Sequence, residues 1–358
     1  MECYTLDYMR NNFFSWKRII IILIVGIGIW ILIPKIIGLK ETLELLNHIK
    51  YWAFILAILA ESFFYVGSAI LTRTVLRMTG DKLKFGDVLK ISLMDSFSVQ
   101  FLPLATFGEA AVDYYFYRAK NVRTSHIVLM FVARTIIIWF VFAFIYLVGV
   151  AFSPTNAELG ANNILIIWLI YFAAFGFLFW LIYLYLKKER LLNKSYSLVK
   201  FANHFAKIFR FQKIELEKIP PLVDKIYQAT SILAQNRRLQ ISAVLGALFF
   251  WFGDIFCLYF SFLAFNYQPH LAIIIFTYAI ARILTTISFI PGGVGITEAS
   301  MGLIFIGFGI PAPTALAAVL IFRFLSFWLP IPVGLSSFLS LQKKYIRMKL
   351  QGLISNGG

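Results

Sequence analysis

The chain has 358 residues, 60% of them hydrophobic and only 14% charged, with a mean hydropathy of +0.81. A soluble domain cannot hide that much apolar surface, so the composition points to a polytopic membrane protein. The net charge of +16 is gathered in short stretches between apolar runs. That pattern reads as loops facing anionic lipid and argues against a nucleic-acid surface.

In chain order, the first apolar run is 19–39. It is longer than a secretory h-region and lacks a small-residue cleavage site, so a retained span is expected. A second span is expected at 52–72, carrying Glu61 in "AESFFYVG". Region 86–118 is irregular: "SFSVQFLPLATFGEAAVDYYF" runs apolar, breaks at Pro103 and Gly108, and continues past Glu109. A span at 125–151 follows, with Arg134 in "VARTIIIWF", then a loop at 152–163 without Lys or Arg and a span at 164–186.

Segment 187–238 holds twelve Lys/Arg against four Asp/Glu. Its "KSYSLVKFANHFAKIFRF" has apolar residues at helical spacing and is broken by Pro220 and Pro221. A basic amphipathic hairpin on the inner leaflet is expected, with a small soluble binding element as the alternative. The span at 240–265 contains Asp254 and Cys257. Two cysteines, Cys3 and Cys257, make neither a disulfide framework nor a metal cluster, and Cys257 reads as a small core residue.

Region 271–309 is the second irregular one. There "TTISFIPGGVGITEASMGLIF" interrupts its helix with Pro291, Gly292, Gly293 and Gly295 before Glu298. The last span, 314–338, carries Arg323 in "IFRFLSFWL" and leads into a basic tail at 339–358.

All the basic clusters fall on one side if each irregular region begins and ends on the same side of the bilayer. By the positive-inside rule that side is the cytoplasm, which places both termini and 187–238 inside and 152–163 outside. Lys35, Lys40 and Lys50 make the first outer loop an imperfect case.

The two irregular regions match each other. Pro103 precedes Glu109 by six residues and Pro291 precedes Glu298 by seven, and an arginine follows each glutamate after 25 residues. Glu61 and Asp254 match loosely in the preceding spans. The chain therefore divides into a first membrane repeat at 1–152, an external loop and span at 153–186, the cytoplasmic segment 187–238, the remainder of a second repeat at 239–338, and the tail. The expected fold is an all-α polytopic membrane protein with an inverted-topology repeat. It has two broken re-entrant helical hairpins and about six full spans, and the binding site falls between the repeats near mid-membrane.

Each charged residue has two readings. Glu109 follows Thr106 at the spacing of a capping box, and Glu298 stands in the same relation to Gly295. A half-helix N-terminus inside the membrane is also an ion site. Arg134 and Arg323 lie about ten residues into their spans, too deep to snorkel easily. Either they form structural ion pairs with the glutamates, or they face an aqueous cavity and hold a phosphate. Arg282 is placed to join them, and Glu61 and Asp254 to line the same cavity.

Catalysis finds little support. The four histidines are scattered and form no metal motif, and no nucleophile elbow, P-loop or Cys/His cluster is present. Asp95 and Asp113, flanking the first break, are the one carboxylate pair suited to an embedded hydrolase or transferase. No cofactor is expected.

At "FLPLATFGEAAVDYYFYR" and "SFIPGGVGITEAS" the sequence resembles the membrane region of the lysylphosphatidylglycerol synthase/flippase family, also called UPF0104-type membrane proteins. The resemblance covers essentially the whole chain. It implies a prokaryotic inner membrane and movement of a modified phospholipid between leaflets. Full-length synthases of that family carry a further aminoacyl-transferase domain, expected to be absent because the sequence ends at Gly358. The expected activity is therefore lipid translocation rather than synthesis, on a membrane phospholipid or lipid-linked substrate. Oligomerisation stays open. The alternatives are a transporter of a soluble solute and a membrane-embedded enzyme or assembly partner in lipid or glycan synthesis.

Overall fold

The computed structural model describes residues 49–101, 105–151, 187–208 and 215–341, apart from Phe289, together with isolated positions between 172 and 183. The expected spans at 19–39 and most of 164–186, the loop at 152–163, Pro103 and most of the tail lie outside the described residues. Everything described is helix or turn. The helices are α1 (Tyr51–Met78), α2 (Phe85–Phe101), α3 (Ala105–Arg118), α4 (Thr124–Ala151), α5 (Lys188–Ile208), α6 (Ile219–Gln235), α7 (Arg237–Leu263), α8 (Leu271–Ile287), α9 (Ile296–Gly307) and α10 (Ala312–Leu341).

Among the described residues, four helices are long and apolar enough to cross a membrane: α1, α4, α7 and α10. They correspond to the expected spans at 52–72, 125–151, 240–265 and 314–338. Their outward faces show why the chain needs lipid. Ile55, Leu59 and Phe63 on α1, and Ile136, Phe140 and Phe144 on α4, form exposed apolar stripes at a spacing of four residues.

The core is built on the crossing of α1 and α7, which run antiparallel. Lys50 N–H donates to Ala264 C=O at 2.9 Å at one end, and the Thr74 and Ser242 hydroxyls meet at 2.8 Å at the other. Small residues allow this approach. A Cβ on Gly67 would lie 2.4 Å from the Phe250 nitrogen, and one on Gly253 would lie 2.4 Å from the Phe64 nitrogen. Without a hydrophobic force between helices in lipid, such close backbone packing supplies the association.

The two irregular regions each become a pair of short helices. α2 has 17 residues and α3 has 14; α8 has 17 and α9 has 12. At about 1.5 Å per residue none reaches the roughly 30 Å of a hydrocarbon core. The start of α2 and the end of α3 meet through Lys120–Asp87 at 2.8 Å, and His126 meets Asp81 at 2.7 Å beside them. The end of α9 meets the start of α8 through rings, with Phe276 and Phe308 centroids 5.7 Å apart and Phe305 4.7 Å from Phe262 of α7.

Pro220 and Pro221 fall in the first turn of α6, after a 3₁₀ turn at Leu216–Lys218. They start that helix, where a missing N–H is harmless, as well as ending what precedes it. α5 packs against α6, and α6 reaches α1, α4 and α7.

Candidate functional site

The break between α8 and α9 is a designed piece of backbone. α8 stops at Ile287, a 3₁₀ turn covers Pro291–Gly293, and α9 starts at Ile296. Gly292 and Gly293 adopt φ of +60° and +62°, a left-handed region that costs a side chain dearly. Space is also closed to them, since a Cβ on Gly292 would lie 2.1 Å from the Phe327 ring. The freed backbone groups find partners. Glu298 Oε2 accepts from Gly295 N–H at 2.7 Å, and Arg323 Nη2 donates to Gly292 C=O at 2.8 Å. Thr285 and Thr297 join their hydroxyls across the break at 2.8 Å.

Arg323 also donates through Nε to Glu298 Oε1 at 2.6 Å and lies 4.6 Å over the Phe327 ring. It ends the regular part of α10. A π-helical turn, Phe324–Trp328, follows directly, and such single turns gather at functional sites. Pro330 has no N–H to give Ser326, whose carbonyl instead accepts from Gln100 Nε2 of α2 at 3.5 Å.

The other arginine is held differently. Arg134 is buried, and its Nη2 donates to Glu109 Oε1 and lies 3.3 Å from Asp113 Oδ2. Its Nη1 donates to Thr72 Oγ1 at 3.3 Å and lies 3.7 Å from Asp95 Oδ2. The pairing of each glutamate with the arginine 25 residues later thus forms in both regions. Thr106 lies inside α3, already helical at Ala105, so it does not stand ahead of the helix as the capping-box spacing requires.

A cavity of about 430 Å³ lies between these two centres. Its walls include Glu61 of α1, Asp95 and Gln100 of α2, Glu109 of α3, Arg134 of α4, Asp254 of α7, Arg282 of α8, the Gly292–Gly293 turn and Arg323 of α10. Of the seven charged residues singled out in the sequence, six line it. Glu298 is not among its lining residues; both its oxygens are spent inside the break, on Gly295 and Arg323. Gly108 sits within α3, and Pro291 opens the 3₁₀ turn.

Glu61 and Asp254 reach the cavity from the antiparallel pair α1 and α7. Asp254 accepts from the Tyr278 hydroxyl, while Asp254 Oδ1 and Glu61 Oε2 are buried without a hydrogen bond. Neither forms an ion pair with an arginine among the described residues. Arg282 lines the cavity 5.9 Å from the Trp251 ring and makes no ion pair among the described residues. Trp251 is itself fixed, donating to Ile138 C=O at 2.8 Å and packing against Phe142 and Tyr278.

Asp95 and Asp113 belong to the site through Arg134, although the sequence suggested them only as a catalytic pair. One signal was available: an aspartate four residues after Glu109 shares its helix face. Chemically, the cavity offers guanidiniums for an anion and unsatisfied carboxylates for a cation. No group of three or more His, Cys, Asp or Glu is placed to hold a metal ion among the described residues.

Comparison with known proteins gives a consistent answer. Residues 18–334 match the family model described as the lysylphosphatidylglycerol synthase TM region. A UPF0104 membrane protein of Pyrococcus horikoshii is 24% identical over 328 residues, covering 88% of this chain and 94% of the relative. A UPF0104 membrane protein of Methanocaldococcus jannaschii is 21% identical over 331 residues, covering 92% of this chain and 96% of the relative.

Proposed function

The chain belongs to the lysylphosphatidylglycerol synthase TM-region family of multi-pass membrane proteins, and on that premise we propose that it is a flippase. It moves a lipid with an anionic or aminoacylated headgroup between leaflets through the cavity between α1–α4 and α7–α10. The observation that carries this reading is the set of three arginines, Arg134, Arg282 and Arg323, around one cavity walled in part by the four long apolar helices. Its volume of about 430 Å³ is in the range that holds a headgroup. Charges so deep in hydrocarbon are costly unless they face each other, water or a ligand.

Inverted repeats with two re-entrant hairpins give the cavity its logic. That architecture is supported by the antiparallel packing of α1 on α7, by the two glutamate–arginine pairs, and by short helix pairs in matching places. Alternating access then rocks one repeat against the other around the headgroup. With the basic clusters in the cytoplasm, the α2–α3 pair enters from inside and the α8–α9 pair from outside an inner membrane, and both termini are cytoplasmic. Single cysteines at positions 84 and 266, challenged with an impermeant reagent, test that orientation; labelling of 84 from outside reverses it.

Moving rather than modifying the lipid is the reading proposed for a cavity lined by arginines and carboxylates. The test reconstitutes the full chain into vesicles. These carry fluorescent analogues of phosphatidylglycerol, an aminoacylated phosphatidylglycerol, phosphatidylethanolamine or a polyprenyl phosphate. Exposure of each to an impermeant reductant is then followed. Faster exchange of an anionic or aminoacylated analogue than in protein-free vesicles is expected. Exchange equal to protein-free vesicles for the whole panel overturns the reading.

A further inference from the structure

Six carboxyl groups, Glu61, Asp95, Glu109, Asp113, Asp254 and Glu298, surround three guanidiniums in and beside the cavity. An excess of buried negative charge is expensive and is relieved by a bound cation or by protonation. The excess is not spread evenly. Arg323 meets one carboxylate and a carbonyl, whereas Arg134 meets Glu109, Asp113 and Asp95 together. Of the three carboxylates, Glu109 alone receives a hydrogen bond from Arg134 among the described residues. All four oxygens of Asp95 and Asp113 are buried without one, and the two carboxyls lie 3.7 and 3.3 Å from the same Arg134 guanidinium.

We propose that the Asp95–Asp113 pair is a proton-binding site that couples headgroup movement to a proton gradient, a role that rests on the translocation reading above. Two carboxylates are acceptors only and cannot satisfy one another. One shared proton turns either into a donor and supplies the missing hydrogen bond. A carboxylate takes a proton from hydronium entering by the cavity that Asp95 lines and becomes a carboxylic acid, leaving water behind. A proton fits where a metal ion does not. The Arg134 guanidinium already occupies the space before both carboxyls, and Asp113 has no exposed surface.

The groups facing the pair come from each packed element. They are Glu109 and Tyr117 of α3, Arg134 of α4 and, across the cavity, Glu61 and Tyr65 of α1, Arg282 of α8 and Arg323 of α10. The Pro291–Gly293 turn against α2 brings no titratable group. Arg134 provides the link. When a headgroup phosphate engages its guanidinium, the pair loses its counter-ion and takes up a proton. Conversely, a protonated pair frees Arg134 for the phosphate. Each ligand favours the other, as linkage requires, so anion and proton travel together.

The experiment uses the full chain in vesicles with fluorescent phosphatidylglycerol. For one proton per lipid, a pH difference of about one unit shifts the steady-state leaflet ratio about tenfold. That shift is expected in the wild type and its absence in Asp113→Asn. A shift driven equally by a sodium gradient, or one retained in both Asp113→Asn and Asp95→Asn, overturns the proposal. A second measurement does not depend on transport: infrared spectra of the purified chain with isotopically labelled aspartate. A protonated aspartyl band that disappears as pH is raised, and is lost in Asp113→Asn, is expected. Its absence from the wild type overturns the proton site even where lipid moves, and settles the matter if neither variant folds. The band's presence without exchange of any lipid instead removes the translocation reading, and the coupling with it.

Discussion

Arg134 and Arg323 occupy matching places, 25 residues after a glutamate and deep in a long helix, yet their surroundings differ in kind. Around Arg323 the charges balance, one guanidinium to one carboxylate, and the remaining valence goes to the Gly292 carbonyl in the backbone break. Around Arg134 three carboxylates compete for one cation, and the Thr72 hydroxyl takes another N–H. The Arg134 centre can change its charge state; the Arg323 centre has little reason to. On the proposed reading, the Arg134 side thus serves as a switchable wall of the cavity and the Arg323 side as a fixed one.

The largest effect that can break this comparison comes from removing each arginine in turn. Arg134→Gln strands the buried Asp95 and Asp113 and the partly buried Glu109, a loss of about 3–5 kcal/mol for an uncompensated buried charge. Arg323→Gln strands only Glu298, which keeps the Gly295 N–H, and about 1–3 kcal/mol is expected. Melting temperature and membrane yield of the two variants measure the difference. Equal losses would mean that the extra carboxylates at Arg134 are already neutral in the resting state. Both variants should exchange lipid no faster than empty vesicles, and unchanged exchange in both would remove their headgroup role.

The sequence made much of this legible, but unevenly. The spacing from Glu to Arg carried over in both regions, and the break at Pro291 carried over in the second, because a half-helix followed by a span fixes which residues meet. The crossing of α1 and α7 was not legible, since Gly67, Gly246 and Gly253 look like ordinary membrane-helix glycines until their partners are known. The π-turn after Arg323 was hidden for a similar reason: its support, Gln100, lies 226 residues away in sequence. Asp95 and Asp113 sit on different helices across a break, so no period joins them, and only the fold brings them to one guanidinium.

A smaller effect separates the two breaks. Gly292→Ala places a Cβ at a positive φ and against Phe327, and about 1–3 kcal/mol is expected with partial loss of exchange, since Arg323 is anchored on that carbonyl. Gly108 lies within α3, where alanine favours the helix by about 1 kcal/mol. Gly108→Ala should therefore be neutral or mildly stabilising in a melting experiment. A loss as large as that of Gly292→Ala would show that the first break also depends on close backbone approach.

The smallest effects test how each short helix pair is closed where it begins and ends. The start of α2 and the end of α3 are tied by Lys120 and Asp87, both only partly buried. A pair of this kind contributes about 0.2–1 kcal/mol and is screened by salt, so Lys120→Gln should lower the melting temperature slightly in dilute buffer and hardly at all in concentrated salt. The start of α8 and the end of α9 are joined by Phe276 and Phe308, whose rings meet nearly at right angles. Phe308→Leu keeps most of the apolar contact and should cost under about 1.5 kcal/mol, without dependence on salt. A salt response at the first site and none at the second fit the orientation proposed above, with the charged closure toward the cytoplasm. The same salt response at both would leave the two closures physically equivalent, and the asymmetry of the molecule confined to its arginine centres.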